Sequence, residues 1–139
     1  MKKTLLLFMF SFVSLFSNAS NETYWNQVIN AIIQVESSGN PNAISPGGKY
    51  VGIMQIGTVV VDDCNEYLQL KKINKRYEYN DRYNVQKSKE MFILIQKRYN
   101  KEKDVEKAVR IWNGGCNYKK ESTDNYYLKF LKYYNKRDK

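Results

Sequence analysis

An apolar stripe of helical period ends abruptly on an acid. Trp25, Val28, Ile29, Ile32 and Val35 recur at helical spacing, which predicts one buried face of a helix from about Glu22 to Glu36. Asn21 is the candidate N-cap of that helix. The helix must then stop, because Ser37-Ser38-Gly39-Asn40-Pro41 is a run of turn-forming residues. Glu36 lies four residues after Ile32, at the edge of the stripe. A carboxylate there is expected to be partly desolvated. It also faces the negative end of the helix macrodipole. Both effects raise its pKa. A carboxyl that keeps its proton near neutral pH is suited to general acid chemistry.

The N-terminus reads as an export leader. Lys2-Lys3 form a charged region, Leu5 to Phe16 a short apolar one, and Ser17-Asn18-Ala19 a small-x-small cleavage site. Residues 1–19 are therefore expected to be a signal peptide, with residues 20–139 the mature domain. The apolar run is too short to span a bilayer comfortably, so the membrane enters only through the leader. A mature chain of about 120 residues is one domain with one hydrophobic core.

The net charge of +9 falls to about +7 without Lys2 and Lys3. Such a balance often signals nucleic acid. Export points elsewhere, to the acidic wall and membrane surfaces outside the cytoplasm. The basic residues are also scattered over Lys71-Lys72, Lys75-Arg76, Lys119-Lys120 and Lys136-Arg137 and form no single stripe. The expected location is periplasmic or secreted, with no nucleic-acid partner.

The chain has no His, which excludes Ser-His and Cys-His nucleophile systems and His-based zinc sites. No acidic loop has calcium-site spacing. Neither a metal nor a cofactor is expected. Two cysteines remain, Cys64 and Cys116. In an oxidising compartment they could pair, which would stabilise the fold by roughly 4 kcal/mol on a chain-entropy model. Sequence leaves open whether they meet in space.

The remaining pattern is dominated by helices. Residues 37–48 are rich in Gly, Pro and Ser and must be loop. Lys49 to Ile56 is short and apolar, strand-like or the start of a helix. Thr58 is a candidate cap for a helix to about Leu70, and Lys71 to Asn80 is charged and irregular. Asn84 to Tyr99 is the clearest amphipathic helix, with Ser88, Phe92, Ile95 and Tyr99 on one face. Asp104 is placed to cap a helix to Trp112 that Gly114-Gly115 ends. Thr123 is placed to cap a last helix bearing Tyr126, Tyr127, Phe130 and Tyr134.

Three segments matter together: Glu36-Ser37 with Asn40-Pro41 and Ser45, then Gly52-Ile53-Met54-Gln55, then Trp112-Asn113-Gly114-Gly115. Their order and spacing resemble the catalytic domain of the soluble lytic transglycosylases, in the lysozyme-like superfamily. Those domains carry Glu-Ser at a helix end, Asn-Pro and a Ser in the next loop, then Gly-Leu-Met-Gln. Ala-Tyr-Asn-Ala-Gly and a Thr-x-x-Tyr follow. The resemblance covers about Ala31 to Phe130. It implies that Glu36 is the single catalytic acid/base and that Ser45 orients it. It implies that Gly52, Met54 and Gln55 line the cleft, with Gln55 meeting substrate. Trp112 and Asn113 stand at the family's Tyr-Asn, and Tyr126 at the late Tyr that contacts the acid. Three departures are visible. Trp112 replaces Tyr, one residue is inserted between Ser45 and Gly52, and Ser122 stands where the family usually has Glu.

The resemblance implies a mainly α, lysozyme-like (α+β) fold, a helical domain with a small irregular or β lip around a substrate cleft. It implies cleavage of the β-1,4 bond between N-acetylmuramic acid and N-acetylglucosamine in peptidoglycan, leaving 1,6-anhydro ends. Glycoside cleavage normally needs two carboxylates, and the motif offers one. Asp62, Asp63 and Glu66 follow on their own helix without an assigned place opposite it. The rival readings are a hydrolysing muramidase and a non-catalytic peptidoglycan-binding module. A small exported wall-cutter could serve a secretion, conjugation or phage apparatus, or wall turnover.

Overall fold

The computed structural model describes the backbone of residues 9–136 and the side chains of residues 21 and 23–136. It contains five α-helices: α1 (Met9–Ser37), α2 (Thr58–Leu70), α3 (Val85–Tyr99), α4 (Val105–Gly114) and α5 (Lys120–Tyr134). A short 3-10 helix, Tyr79–Tyr83, precedes α3. The architecture is mainly α, as the helical periodicity predicts.

α1 is longer than the stripe implies. It runs unbroken for 29 residues, so Asn21 lies inside the helix and not at its start. The physical reason is the absence of any Gly or Pro between Met9 and Ser38. The polar stretch Ser17 to Asn21 costs only a few tenths of a kcal/mol per residue in a helix, too little to break one. Part of the expected leader, residues 1–8, lies outside the described residues. Among the described residues, no helix is long and apolar enough to cross a membrane.

The core forms where α1 meets α3, α4 and α5. Trp25, Val28, Ile29 and Ile32 of α1 are all buried. An aromatic row runs through them: Trp25 meets Phe92 edge-on at 5.7 Å, and Phe92 meets Trp112 at 5.2 Å. Phe130 of α5 is fully buried and stacks between Tyr127 and Tyr134. Burying large apolar side chains contributes roughly 1.5–3 kcal/mol each, which makes this row the main anchor of α1.

The helix boundaries follow local chemistry. Asn84 and Asp104 cap α3 and α4, accepting from Lys87 N at 2.9 Å and Lys107 N at 2.6 Å. Gly115, at φ +81°, ends α4. Two expected caps differ. Gly57 rather than Thr58 is the N-cap of α2, and Thr58 is its first residue. Thr123 lies inside α5, which begins at Lys120. Its hydroxyl is buried because it accepts from Arg110 Nη1 at 2.8 Å.

Arg110 joins α4 to α5. It pairs with Glu106 (2.8 Å) and Asp124 (2.8 Å), donates to Lys120 O (2.9 Å), and lies over the Tyr127 ring. Gly114 permits this approach. A Cβ there would lie 2.7 Å from Thr123 Cγ2 and 2.8 Å from Tyr118 Cβ.

Residues 43–56 form the lip. Two isolated antiparallel bridges, Ile44 with Val51 and Val51 with Ile56, are its β character. Gly52, at φ +80°, and Gln55, at φ +49°, turn the chain between Val51 and Ile56. Lip and α1 are tied by Ser37, whose Oγ donates to Ile53 O at 2.7 Å.

Candidate active site

Glu36 sits in the last turn of α1, where adjacent residues are held by different elements. Ser37 bonds to the lip, and Glu36 Oε1 accepts from Tyr126 Oη of α5 at 2.6 Å. The carboxyl is therefore fixed at the junction of lip and α5. Burial pushes its pKa from 4.5 up to about 7, although the Tyr126 hydrogen bond acts to lower it. Desolvation wins because one hydrogen bond does not replace the hydration shell of a carboxylate. The Tyr126 phenol is itself held well above its usual range, by burial and then by the Glu36 charge.

The geometry divides the two carboxyl oxygens. Tyr126 occupies Oε1 as a donor. A proton on the carboxyl then resides on Oε2, where it can be passed to a leaving group. One group that is half protonated near pH 7 can serve as acid and then as base.

The other expected site residues divide into supports and bystanders. Ser45 does not reach Glu36; its Oγ accepts from Tyr50 N at 3.0 Å and tightens the lip. Gln55 Nε2 donates to Ala43 O at 3.1 Å and Gly52 O at 3.0 Å, so its amide braces the lip from within. Met54 is fully buried in the core and offers no surface to a ligand. Gly52 is also buried, and its lack of a side chain serves packing: a Cβ would lie 1.9 Å from Arg82 O. Trp112 is half-buried against Phe92 and Asn113 is exposed at the end of α4. Among the described residues, no hydrogen bond joins either one to Glu36. Sequence reasoning missed Ser37 as the tie between acid and lip. Its place directly after Glu36, before a turn, was the available signal.

The cysteines do not pair. Cys64 is a buried free thiol whose Sγ lies 3.5 Å from Met91 O, and Cys116 is free and exposed. Their different settings account for the absence of the disulfide that the sequence left open. Cys64 faces the core from α2 while Cys116 lies in the turn after α4. Burial pushes the Cys64 thiol up to about 12, which makes it unreactive.

The three acids after the motif are engaged elsewhere. Asp62 accepts from Tyr79 Oη at 3.1 Å. Asp63 pairs with Arg98 at 2.6 Å and accepts from Tyr99 Oη at 2.9 Å. Glu66 pairs with the same Arg98 at 2.8 Å. None is presented to Glu36.

The Tyr126 contact has a measurable consequence. Tyr126→Phe removes the group that favours the ionised carboxyl, so the Glu36 pKa should rise above 7. The alkaline limb of kcat/KM should move to higher pH by roughly half a unit to one unit. An unchanged limb in the Phe variant, read from pH-rate profiles, would show that the hydroxyl does not tune the acid.

Residues 14–134 match the family model described as the transglycosylase SLT domain. No curated protein and no solved structure matches the chain. The matched region contains α4, α5, the lip and Glu36, and the matched domains are lysozyme-like, mainly α folds. The chain therefore belongs to the transglycosylase SLT domain family, whose domains point to glycan cleavage in peptidoglycan.

Proposed function

We propose that this protein is a lytic transglycosylase that cuts the β-1,4 bond between N-acetylmuramic acid and N-acetylglucosamine. The observation that carries this reading is a single, half-buried carboxyl with a pKa near 7, oriented by Tyr126. A hydrolase usually needs a second carboxylate to activate water. Asp62, Asp63 and Glu66 are already committed to Tyr79, Arg98 and Tyr99.

One carboxyl suffices when the substrate supplies the nucleophile. Glu36 donates its proton to the glycosidic oxygen, and the N-acetylglucosamine alcohol leaves. The 2-acetamido oxygen of N-acetylmuramic acid attacks C1 and forms a bicyclic oxazolinium cation. Glu36, now ionised, takes the proton of the C6 hydroxyl. The C6 oxygen attacks C1, the acetamido C–O bond breaks, and a 1,6-anhydro ring forms. The proton on Glu36 is restored and no water is consumed. Ser37, Gln55 and Ser45 hold the lip that this acid faces.

Peptidoglycan lies outside the cytoplasm, so the domain acts there. The Lys2-Lys3 and Leu5 to Phe16 pattern supports export by a leader cleaved after Ala19.

Digestion of purified peptidoglycan tests the chemistry. Muropeptides should end in 1,6-anhydro-N-acetylmuramic acid and be one water lighter in mass spectrometry than muramidase products. Only hydrated, reducible ends would establish water as the nucleophile and overturn the reading.

A further inference from the structure

Gly57 breaks a local rule. It is the N-cap of α2 and supplies no side-chain cap to that helix. Ser, Thr, Asp or Asn at an N-cap accepts from a first-turn N–H and favours the helix. The backbone at Gly57, φ −84° and ψ 162°, is extended and open to any of them. Glycine is therefore not required there for its conformational freedom. What requires it is a neighbour. A Cβ at Gly57 would lie 3.2 Å from Tyr50 Cε1 and 3.4 Å from Tyr50 Cδ1, closer than carbon atoms pack at their optimum. The absent side chain lets the Tyr50 ring settle against the start of α2.

Tyr50 is also held by its backbone. Its N–H donates to Ser45 Oγ at 3.0 Å, and its carbonyl accepts from Ser45 N at 2.9 Å. Gly48 N on Ser45 O at 2.8 Å closes the tip between them. Ser45, expected to orient the acid, fixes this aromatic residue instead. The ring is nonetheless 42% exposed, so the fixing presents an aromatic surface to solvent rather than burying it. Ile44 of the lip and Val59 in the first turn of α2 are exposed as well. Lys49 Nζ lies over the ring, 5.2 Å from its centroid, on an exposed side chain that a ligand can turn aside.

The ring belongs to the same lip as the acid. Val51 and Ile56 exchange backbone hydrogen bonds at 3.2 Å and 2.9 Å, and Ile53 O receives Ser37 Oγ directly beside Glu36. Tyr50 precedes Ile53 by three positions, at most about 10 Å of chain. A glycan strand that runs along the lip from Glu36 extends several sugars and would meet this ring. A pyranose presents faces of C–H groups, and the negative π face of an aromatic ring attracts them. Tyr offers that surface while few torsions are frozen on binding.

We propose that Tyr50 is a stacking platform for a sugar ring of the glycan strand, away from the bond that Glu36 cleaves, with Gly57 and Ser45 as the residues that position it. The proposal rests on the reading of peptidoglycan glycan as the ligand of this domain.

The test separates binding from turnover. In a Glu36→Gln background, peptide-free oligomers of alternating N-acetylmuramic acid and N-acetylglucosamine are titrated into the whole chain by calorimetry. Thermal melts check that each variant is folded at the titration temperature. Tyr50→Ala should weaken binding roughly three- to tenfold, and Tyr50→Phe should keep it. With Glu36 in place, Tyr50→Ala should raise KM by the same factor and hold kcat. The alkaline limb of kcat/KM, set by Glu36, should stay where it is, whereas a displaced lip would move it. Equal affinity in Tyr50→Ala, a loss that Tyr50→Phe shares, or a loss with a shifted limb would overturn the platform. Failure of the transglycosylase reading looks different: hydrated product ends change the nucleophile and leave the oligomer titration as it was. No saturable binding in the Glu36→Gln background would overturn both.

Discussion

Glu36→Gln should abolish glycan cleavage and, at alkaline pH, make the protein more stable. The two effects have one cause. The carboxyl is buried enough that its pKa rises from 4.5 to about 7. Gln keeps the shape and can accept from Tyr126, but it has no proton to give and cannot receive one. Loss of general acid and base together should reduce turbidity clearance of purified peptidoglycan by about a thousandfold or more. The stability effect has the opposite sign. A raised carboxyl pKa means that the folded state binds a proton the unfolded state has released between pH 4.5 and 7. Stability is therefore full below about pH 4.5 and declines as pH rises through 7. Above that, wild type carries an ionised group in a poorly hydrated place, and Gln does not. The variant should gain roughly 2 kcal/mol over wild type at pH 8 and little at pH 4. Thermal melts at the two pH values measure this. Retained activity would remove Glu36 from its role. Equal melting differences at both pH values would show that the carboxyl is not desolvated.

The desolvation of this carboxyl was legible in the sequence. A helix stripe that ends on Glu where apolar surface is expected breaks the local pattern, and such breaks mark functional or strained places. Its partner was less visible. Tyr126 follows Glu36 by 90 residues, and periodicity places it on a helix face without saying what it meets. Only the order of motifs pointed to it. Helix positions were legible wherever a capping residue met an apolar period, as at Asn84 and Asp104. They failed where the signal was permissive. The leader-like stretch before Asn21 contains nothing that stops a helix, so α1 continues through it. Thr123 has the chemistry of a cap, but Arg110 claims its hydroxyl from across the helix pair. Motif order does not tell a side chain's contacts: Ser45 Oγ and the Gln55 amide brace the lip, and Met54 is buried in the core. A hydrogen bond to a backbone carbonyl twelve residues away, such as Gln55 to Ala43, leaves no trace in composition or period.

Gly52→Ala should damage the fold far more than Gly47→Ala, although the two glycines share φ +80°. Each substitution carries the same backbone strain, about 1 kcal/mol for a left-handed Ala. What a new methyl group meets is different. At Gly47 nothing lies within 4 Å, and at Gly52 the carbonyl oxygen of Arg82 would be 1.9 Å away. That carbonyl cannot easily withdraw. It accepts from Ser88 Oγ at 3.0 Å, and the Arg82 side chain donates to Ile56 O at 3.2 Å and Tyr79 O at 2.7 Å. The 3-10 segment is thus fastened to α3 on one side and to the lip on the other. The clash must be relieved by moving the lip, which costs about 3 kcal/mol beyond the strain. Gly47→Ala should lower Tm by a few degrees, and Gly52→Ala by roughly 10 °C or more. Displacing the lip also pulls on Ile53 O, the acceptor that holds Ser37 beside the acid. Activity per folded molecule should therefore fall in Gly52→Ala and persist in Gly47→Ala. If the two variants melt within a few degrees of each other, the Arg82 carbonyl yields, and the lip is not rigidly set against the 3-10 segment.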